Sequence, residues 1–287
     1  EGINPGIPEK QQAGKSYFTY PHHKETNMPE LPDVEIYKKE ASKILHKKIE
    51  HIEIADKQFV KTTEKKLNQA LKGQKIEALK RQGKHLFLIS KNHHLLALHF
   101  GMTGYLSVRN EKEDSPEYAK CVLKLDDDQN LYYVSKRKLG SVEMITDIDS
   151  YLQEHEIGPD ALNVGKDYFI KQMEKSKTMI KNFLTDQSVL SGIGNVYADE
   201  ILFQAGIHPK QQANKINEAD GKKLFEMTVK VLKMAIDKDA DVSRLPNTYL
   251  LRKRKEGENC PRCNGSIDKI KVSGRATYYC PNCQKKK

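Results

Sequence analysis

Apolar positions change their spacing twice along the chain. Val34, Tyr37, Ala41, Ile44 and Leu45 fall at i, i+3, i+7, i+10 and i+11, one face of a helix that starts at Pro32. The pattern then turns to short apolar runs. Ile49–Ile54 alternates only loosely, whereas His85–Ile89 and Leu95–Phe100 read as buried strands. Tyr105–Val108, Cys121–Leu125, Leu131–Val134 and Ser141–Ile145 continue the series, separated by turn residues such as Gly101 and Asp126–Asn130. Many short strands behind one helix predict a β-sandwich or barrel. From about residue 147 a helical texture returns: Asp149–Leu162, Tyr168–Lys175, Thr178–Leu190, Val196–Ala205 and Asn217–Ile236. Residues 1–27 keep no period and lack the apolar core of a signal peptide.

The pattern predicts an α+β multidomain chain. Residues 1–27 are expected to be a disordered extension or to lie upstream of the true start. A β-sandwich domain with a leading helix is expected over 28–147, a helical domain over 148–250 and a cysteine-bearing hairpin over 251–287. At 287 residues the chain can bury more than one core, and no apolar run approaches the roughly 18–20 residues of a membrane span. No membrane partner and no oligomer is expected.

Charge sharpens the picture. Residues 252–287 hold 11 lysines and arginines against 3 acids, and so carry +8 of the chain's +10. Such density points to a polyanionic partner or a solvated tail. Four of the five cysteines form two pairs, Cys260-x-x-Cys263 and Cys280-x-x-Cys283, with 16 residues between them. This spacing sets four thiolates for one tetrahedral Zn²⁺ on two knuckles, with a β-hairpin between. Four cysteine ligands leave no open position, so the zinc is structural. Clustered cysteines and one lone Cys121 suit a reducing compartment. The hairpin carries Lys269, Lys271 and Arg275, which suits a nucleic-acid groove; a basic surface for protein contact is the other reading.

Two further stretches carry chemistry. In Met28-Pro29-Glu30-Leu31-Pro32-Asp33, a chain beginning at Pro29 presents a secondary α-amine with a pKa of about 8, partly neutral at pH 7. Attack on a sugar aldehyde carbon gives an iminium, an electron sink for elimination; Glu30 beside it is a candidate acid and base. The same residues equally open a helix, with Pro in its first turn and acids at its positive end. Ser191-Gly192-Ile193-Gly194-Asn195 is a glycine-rich turn feeding a helix N-terminus, which reads either as a phosphate cradle or as a plain connection.

Taken together these motifs resemble the formamidopyrimidine-DNA glycosylase / endonuclease VIII family, in order from Met28 to the C-terminus. Met28–Glu35 is similar to its N-terminal signature and Gly83-Lys84-His85-Leu86 to its lysine loop. His99-Phe100-Gly101-Met102-Thr103-Gly104 is similar to its intercalating loop, Asp186–Glu200 to its helix-two-turn-helix motif, and Val272–Pro281 to its zinc finger. The resemblance implies a bifunctional DNA glycosylase and abasic-site lyase of base-excision repair, acting on double-stranded DNA with oxidised bases or abasic sites. Pro29 is then the nucleophile, with Glu30 and Lys84 as its catalytic companions. Lys84, Asn195 and Arg275 grip phosphates, and Met102 and Arg137 fill the gap left by the flipped base. A prokaryotic, cytoplasmic, nucleoid-associated enzyme follows.

Three departures from the family pattern bear on this expectation. Residues precede Met28, and an acylated Pro29 would leave only a zinc-dependent binder of damaged or kinked DNA. Leu139 stands where the family has an aromatic wedge. The segment Arg244–Asn259 is short, where purine-type members carry a loop over 8-oxoguanine; this favours oxidised pyrimidines or ring-opened purines. A zinc-ribbon protein of transcription or translation would leave the Pro29-Glu30 and helix-two-turn-helix motifs without a role.

Overall fold

The computed structural model describes residues 28–286 apart from Gln58 and Lys138, so the expectation for residues 1–27 lies outside the described residues. The leading helix, α1 (Leu31–Ala41), has Pro32 and Asp33 in its first turn and Lys38 and Lys39 in its last, matching the helix dipole. The Asp33 carboxylate accepts the Glu30 N–H at 2.8 Å, which caps the start. Val34, Tyr37 and Ala41 are buried as the spacing predicts, while Ile44 falls in a tighter 3₁₀ turn beyond the helix.

Two four-stranded antiparallel sheets follow. One runs β1 (Ile49–Ile54), β6 (Ala119–Leu125), β7 (Gln129–Ser135), β5 (Gly104–Asn110); the other runs β2 (Ile76–Gln82), β3 (His85–Ser90), β4 (Leu95–His99), β8 (Ser141–Ile145). Their facing rows, including Leu86, Leu98, Leu106, Leu123 and Tyr133, form one core. Two elements escaped the apolar pattern. β2 is an edge strand with Ile76 as its only fully buried residue, so it shows no alternation. The helix α2 (Glu64–Leu71) is two turns long and buries only Leu67 and Leu71.

The second core is helical: α3 (Ile148–Glu154), α4 (Lys166–Lys175), α5 (Ile180–Thr185), α6 (Asn195–Ala205) and α7 (Glu218–Asp237). Two helices are shorter than their periodicity predicts. α3 stops at Glu154, not Leu162, because Glu156 turns left-handed (φ 50°) and the Ile157 N–H closes on the Leu152 carbonyl at 2.8 Å, ahead of Gly158-Pro159. α5 stops at Thr185, not Leu190, because the Asp186 carboxylate captures the Ser188 N–H at 3.0 Å and its hydroxyl at 2.7 Å. α1 packs against β5 and β2 on one side and α7 on the other, so it bridges both cores.

A third, small core joins Phe203 and Leu250 to Cys260, Ile267 and Cys280 beneath the hairpin β9 (Asp268–Val272) and β10 (Arg275–Tyr279). Its turn, Ser273-Gly274, has positive φ at both residues (46° and 78°), the twist that two-residue hairpins favour. A buried ion network docks this arm. Lys181 of α5 donates to the Asp199 carboxylate at 2.5 Å and to the Thr277 hydroxyl of β10 at 2.7 Å. The other Asp199 oxygen accepts from Arg254 Nε at 3.0 Å and from the Tyr278 N–H at 3.2 Å. The Arg254 guanidinium lies 4.7 Å above the Tyr278 ring. Among the described residues no helix is long and apolar enough to cross a membrane.

Asp199→Ala should strand the Lys181 ammonium without its carboxylate, a loss of about 3–5 kcal/mol for a broken buried pair. Urea unfolding measures that cost, and proteolysis under native conditions should then cut between α7 and the hairpin.

Candidate active site

Glu30 is almost fully buried, and its carboxylate lies against the first turn of α6. Oε2 accepts the N–H groups of Gly194 at 2.7 Å and Tyr197 at 3.2 Å; Oε1 accepts that of Val196 at 2.8 Å. The Leu31 N–H adds a bond to the Gly192 carbonyl at 2.9 Å. This corrects the reading of the glycine-rich turn as a phosphate cradle. The amides of Gly194, Val196 and Tyr197, where the turn opens α6, are occupied by the protein's own carboxylate, brought in from more than 160 residues away. Gly194 is needed for the approach, since a Cβ there would sit 2.4 Å from the Glu30 carboxyl. Burial raises the Glu30 pKa above the ordinary carboxylate value, opposed by the Lys84 charge and by the helix amides. A carboxyl held between these influences is suited to give and take a proton.

Pro29, itself buried, lines the first of two adjoining hollows. One, of about 440 Å³, is walled by Pro29, Glu30, Met102, Tyr105, Arg137 and Val242. The other, of about 430 Å³, holds Lys84, His99, Asn195 and Arg275. Met28, Glu30, Met102 and Val196 line both. All seven residues proposed from the sequence for catalysis and DNA contact, namely Pro29, Glu30, Lys84, Met102, Arg137, Asn195 and Arg275, therefore surround one place. They come from α1's entry, three turns of the sandwich, α6 and the hairpin.

Their environments differ. Lys84, in the turn between β2 and β3, has its pKa lowered by burial; Glu30 opposes this and Arg275 adds to it. Its ammonium makes no hydrogen bond or ion pair among the described residues. Arg275 is exposed at the first position of β10. Asn195 donates to the Ala276 carbonyl at 3.1 Å and so ties α6 to the hairpin, while its buried Oδ1 has no partner among the described residues. Arg137 is exposed, its backbone N–H held by the Thr103 hydroxyl at 3.0 Å. Leu139, at 55% exposure, projects from the same loop.

The cysteine arrangement fits one metal ion. All four sulfurs lie within 4.8 Å of one another, with Cys260–Cys283 at 3.8 Å and Cys263–Cys280 at 3.5 Å. A tetrahedral ion with bonds of about 2.3 Å needs sulfur–sulfur edges of about 3.8 Å. Cys260, Cys263, Cys280 and Cys283 therefore hold a structural Zn²⁺ that orders the hairpin bearing Arg275.

The chain matches three family models in succession: the formamidopyrimidine-DNA glycosylase N-terminal domain over residues 28–142, the H2TH domain of the same enzymes over 157–247, and a zinc finger found in FPG and IleRS over 257–286. It is 34% identical over 274 residues to the formamidopyrimidine-DNA glycosylase of Lactococcus lactis subsp. lactis, with 90% of this chain and 100% of that protein aligned. The chain belongs to the formamidopyrimidine-DNA glycosylase family. The Streptococcus thermophilus glycosylase is 32% identical over 275 residues, again with 90% of this chain and 100% of the relative covered. A solved complex between the Lactococcus lactis Fpg and an abasic site containing DNA superposes with a TM-score of 0.81 at 31% identity, covering 90% of this chain and 100% of that one. The formamidopyrimidine-DNA glycosylase fold, with its N-terminal domain, H2TH domain and zinc finger, accounts for the α+β architecture described above.

Sequence reasoning missed two groove residues of this glycosylase fold, His85 and His99. Their rings stack at 4.6 Å, and the Tyr151 hydroxyl meets His85 Nδ1 at 3.2 Å. They sit in apolar strands, where a histidine reads as core; only the pairing of β3 with β4 sets them side by side beside Lys84. Burial, with the Lys84 charge as second cause, lowers the His99 pKa to about 4.

A histidine depressed from about 6.5 contributes stability above that pH, and the contribution is lost as the pH falls towards about 4. His99→Gln should therefore flatten the fall in urea-unfolding stability over that window, leaving the part owed to His85. For the metal, elemental analysis should find one zinc per chain. Chelation should undock the hairpin and abolish DNA binding while the sandwich stays folded by circular dichroism; retained DNA binding would contradict the structural role.

Proposed function

We propose that this chain is a base-excision DNA glycosylase with abasic-site lyase activity, and that Pro29 is its nucleophile. The observation that carries the reading is the adjoining of two hollows across Glu30 and Met102: one is lined by Pro29, and the other by Lys84 and Arg275, cations with no hydrogen-bond or ion-pair partner among the described residues. The first hollow suits a base turned out of the duplex, at a cost of a few kcal/mol that damage lowers. The cationic groove suits the phosphates on either side of it. Lys84 and Arg275 supply charge and Asn195 its second amide proton. Met102, on the rim of both hollows, and Arg137, at the mouth of the first, fill the vacated place in the stack.

The chemistry follows from the amine. The Pro29 nitrogen attacks C1′, the glycosidic bond breaks, and the base leaves with a proton delivered by an acid. Glu30 is placed for that delivery and for protonating the opening sugar oxygen. The resulting iminium acidifies C2′; loss of its proton expels the 3′ phosphate, and a second elimination expels the 5′ phosphate. Water then releases the sugar fragment and restores the amine. The zinc takes no part in these steps.

Support for lesion choice comes from the segment after α7. Asp239 and Ala240 are both left-handed, Arg244 and Lys39 bond Asp239, and Arg252 caps the carbonyls of Ser243 and Leu245. A short, pinned wall that offers Ala240 and Val242 to the base hollow favours oxidised pyrimidines or ring-opened purines over a base needing a long enclosing loop. The division into a catalytic sandwich (28–147), a helix-two-turn-helix domain (148–250) and a zinc finger (251–287) belongs to this reading, as does a monomer working on DNA in a bacterial cytoplasm.

The reaction needs a free amine at Pro29, which an amide bond to Met28 removes. Borohydride reduction in the presence of an abasic duplex should trap a covalent adduct with a chain whose first residue is Pro29 and none with a chain that retains residues 1–28. The same treatment separates the enzyme from a binder of damaged DNA, since absence of an adduct from the shorter chain overturns the proposal.

A further inference from the structure

We infer that Asp160 is a positioning residue for Lys84, an inference that rests on the function just proposed. Lys84 is the second residue of the two-residue turn joining β2 to β3, where Gln82 pairs with His85. With no hydrogen-bond or ion-pair partner for its ammonium among the described residues, the place of that charge is set by the backbone of its turn. Both backbone groups of Gly83 are fixed from the interior. Its N–H donates to Asp160 Oδ2 at 2.7 Å, and its carbonyl accepts from Arg81 Nη1 at 3.1 Å.

The two fixing side chains also hold each other. Arg81 meets Asp160 through Nη1 to Oδ2 and through Nη2 to Oδ1 at 3.2 Å, and its Nε donates to Glu35 of α1 at 2.6 Å. Asp160 is 1% exposed, and its Oδ1 takes the Leu162 N–H at 3.0 Å as well. The carboxylate thus has its acceptor positions filled by one guanidinium and two amides, the arrangement a buried charge requires.

What makes this a device of the site is where Asp160 comes from. It lies in the connection between α3 and α4, and that connection pairs with the glycine-rich turn: Ser191 N–H to the Pro159 carbonyl at 2.9 Å, Ala161 N–H to the Ser191 carbonyl at 3.0 Å. The same turn holds Leu31 and Glu30 through Gly192 and Gly194. A Cβ on Gly83 would strike the Ser191 side chain at 2.7 Å, so the lysine turn sits directly on it. Asp160 thereby references the phosphate-binding lysine to the structure that orients Pro29, and a shift of either would otherwise change the distance between nucleophile and backbone phosphate.

The test uses the full chain and equilibrium binding to a duplex with a tetrahydrofuran abasic-site analogue, from about 50 to 200 mM salt. Four proteins are compared: unaltered, Asp160→Asn, Lys84→Met and the double variant, with thermal unfolding as the control for folding. Asp160→Asn should weaken binding about tenfold and lower the log–log salt slope by about 0.9, as Lys84→Met does. Added to Lys84→Met, it should change binding by less than about twofold. Equal weakening in both backgrounds, or an unchanged slope, overturns the role, because a purely structural residue acts whether or not Lys84 is present. Should Asp160→Asn fail to fold, Arg81→Lys replaces it in the same cycle, losing the bidentate grip while keeping the charge. If the unaltered chain binds the abasic duplex no more tightly than an undamaged one, the proposed function fails; if it does bind and the cycle is additive, only the role of Asp160 falls.

Discussion

A carboxylate laid across the first turn of a helix keeps the reacting end of this molecule in place. Glu30 brings a negative charge out of water, which costs several kcal/mol. Three amides at the start of α6, at 2.7–3.2 Å, offset that cost, each charge-assisted bond contributing about 1.5–3 kcal/mol, together with the helix dipole. The offset is incomplete, which is why the carboxyl remains harder to ionise than usual. One bond network therefore fixes Pro29 against the second core and leaves its neighbour ready for proton transfer.

The rest of the site is arranged around that contact by elements that share no core. The sandwich supplies Lys84 and Met102 from turns, the helical core supplies Asn195, and the zinc arm supplies Arg275. The lysine turn is anchored inside the protein by buried, hydrogen-bonded Asp160 and Arg81, while Lys84 and Arg275, facing the groove, have no hydrogen-bond or ion-pair partner among the described residues. That division has an energetic sense. Ions paired within the protein rigidify the frame, whereas unpaired, partly desolvated ones gain most when a phosphate arrives.

The zinc arm shows the same logic. Four cysteines order a hairpin too small to fold on its own apolar surface, and the Lys181–Asp199–Arg254 network fixes its angle on α6. Asn195 is the hinge point, since it begins α6 and bonds the hairpin backbone at Ala276. Arg275 consequently reaches the groove from a rigid support.

Read alone, the sequence determined what is local or strictly spaced. The α1 face, the positions of six of the eight sandwich strands, the long helices and the zinc knuckles were legible because periodicity, turn residues and cysteine spacing act over a few residues. Elements with little periodic content, such as the edge strand β2 and the short α2, were not, and α3 and α5 ended early where backbone caps outweighed propensity. The family motifs named Pro29, Lys84, Asn195 and Arg275 one by one. Only the tertiary structure decided that the glycine-rich turn receives Glu30 instead of a phosphate, that His85 and His99 stack beside Lys84, and that Asp160 holds the lysine turn. The hydrophobic pattern carries no signal for any of these contacts between residues apart in the chain; the carboxylates of Glu30 and Asp160 find partners because burial without one is too costly.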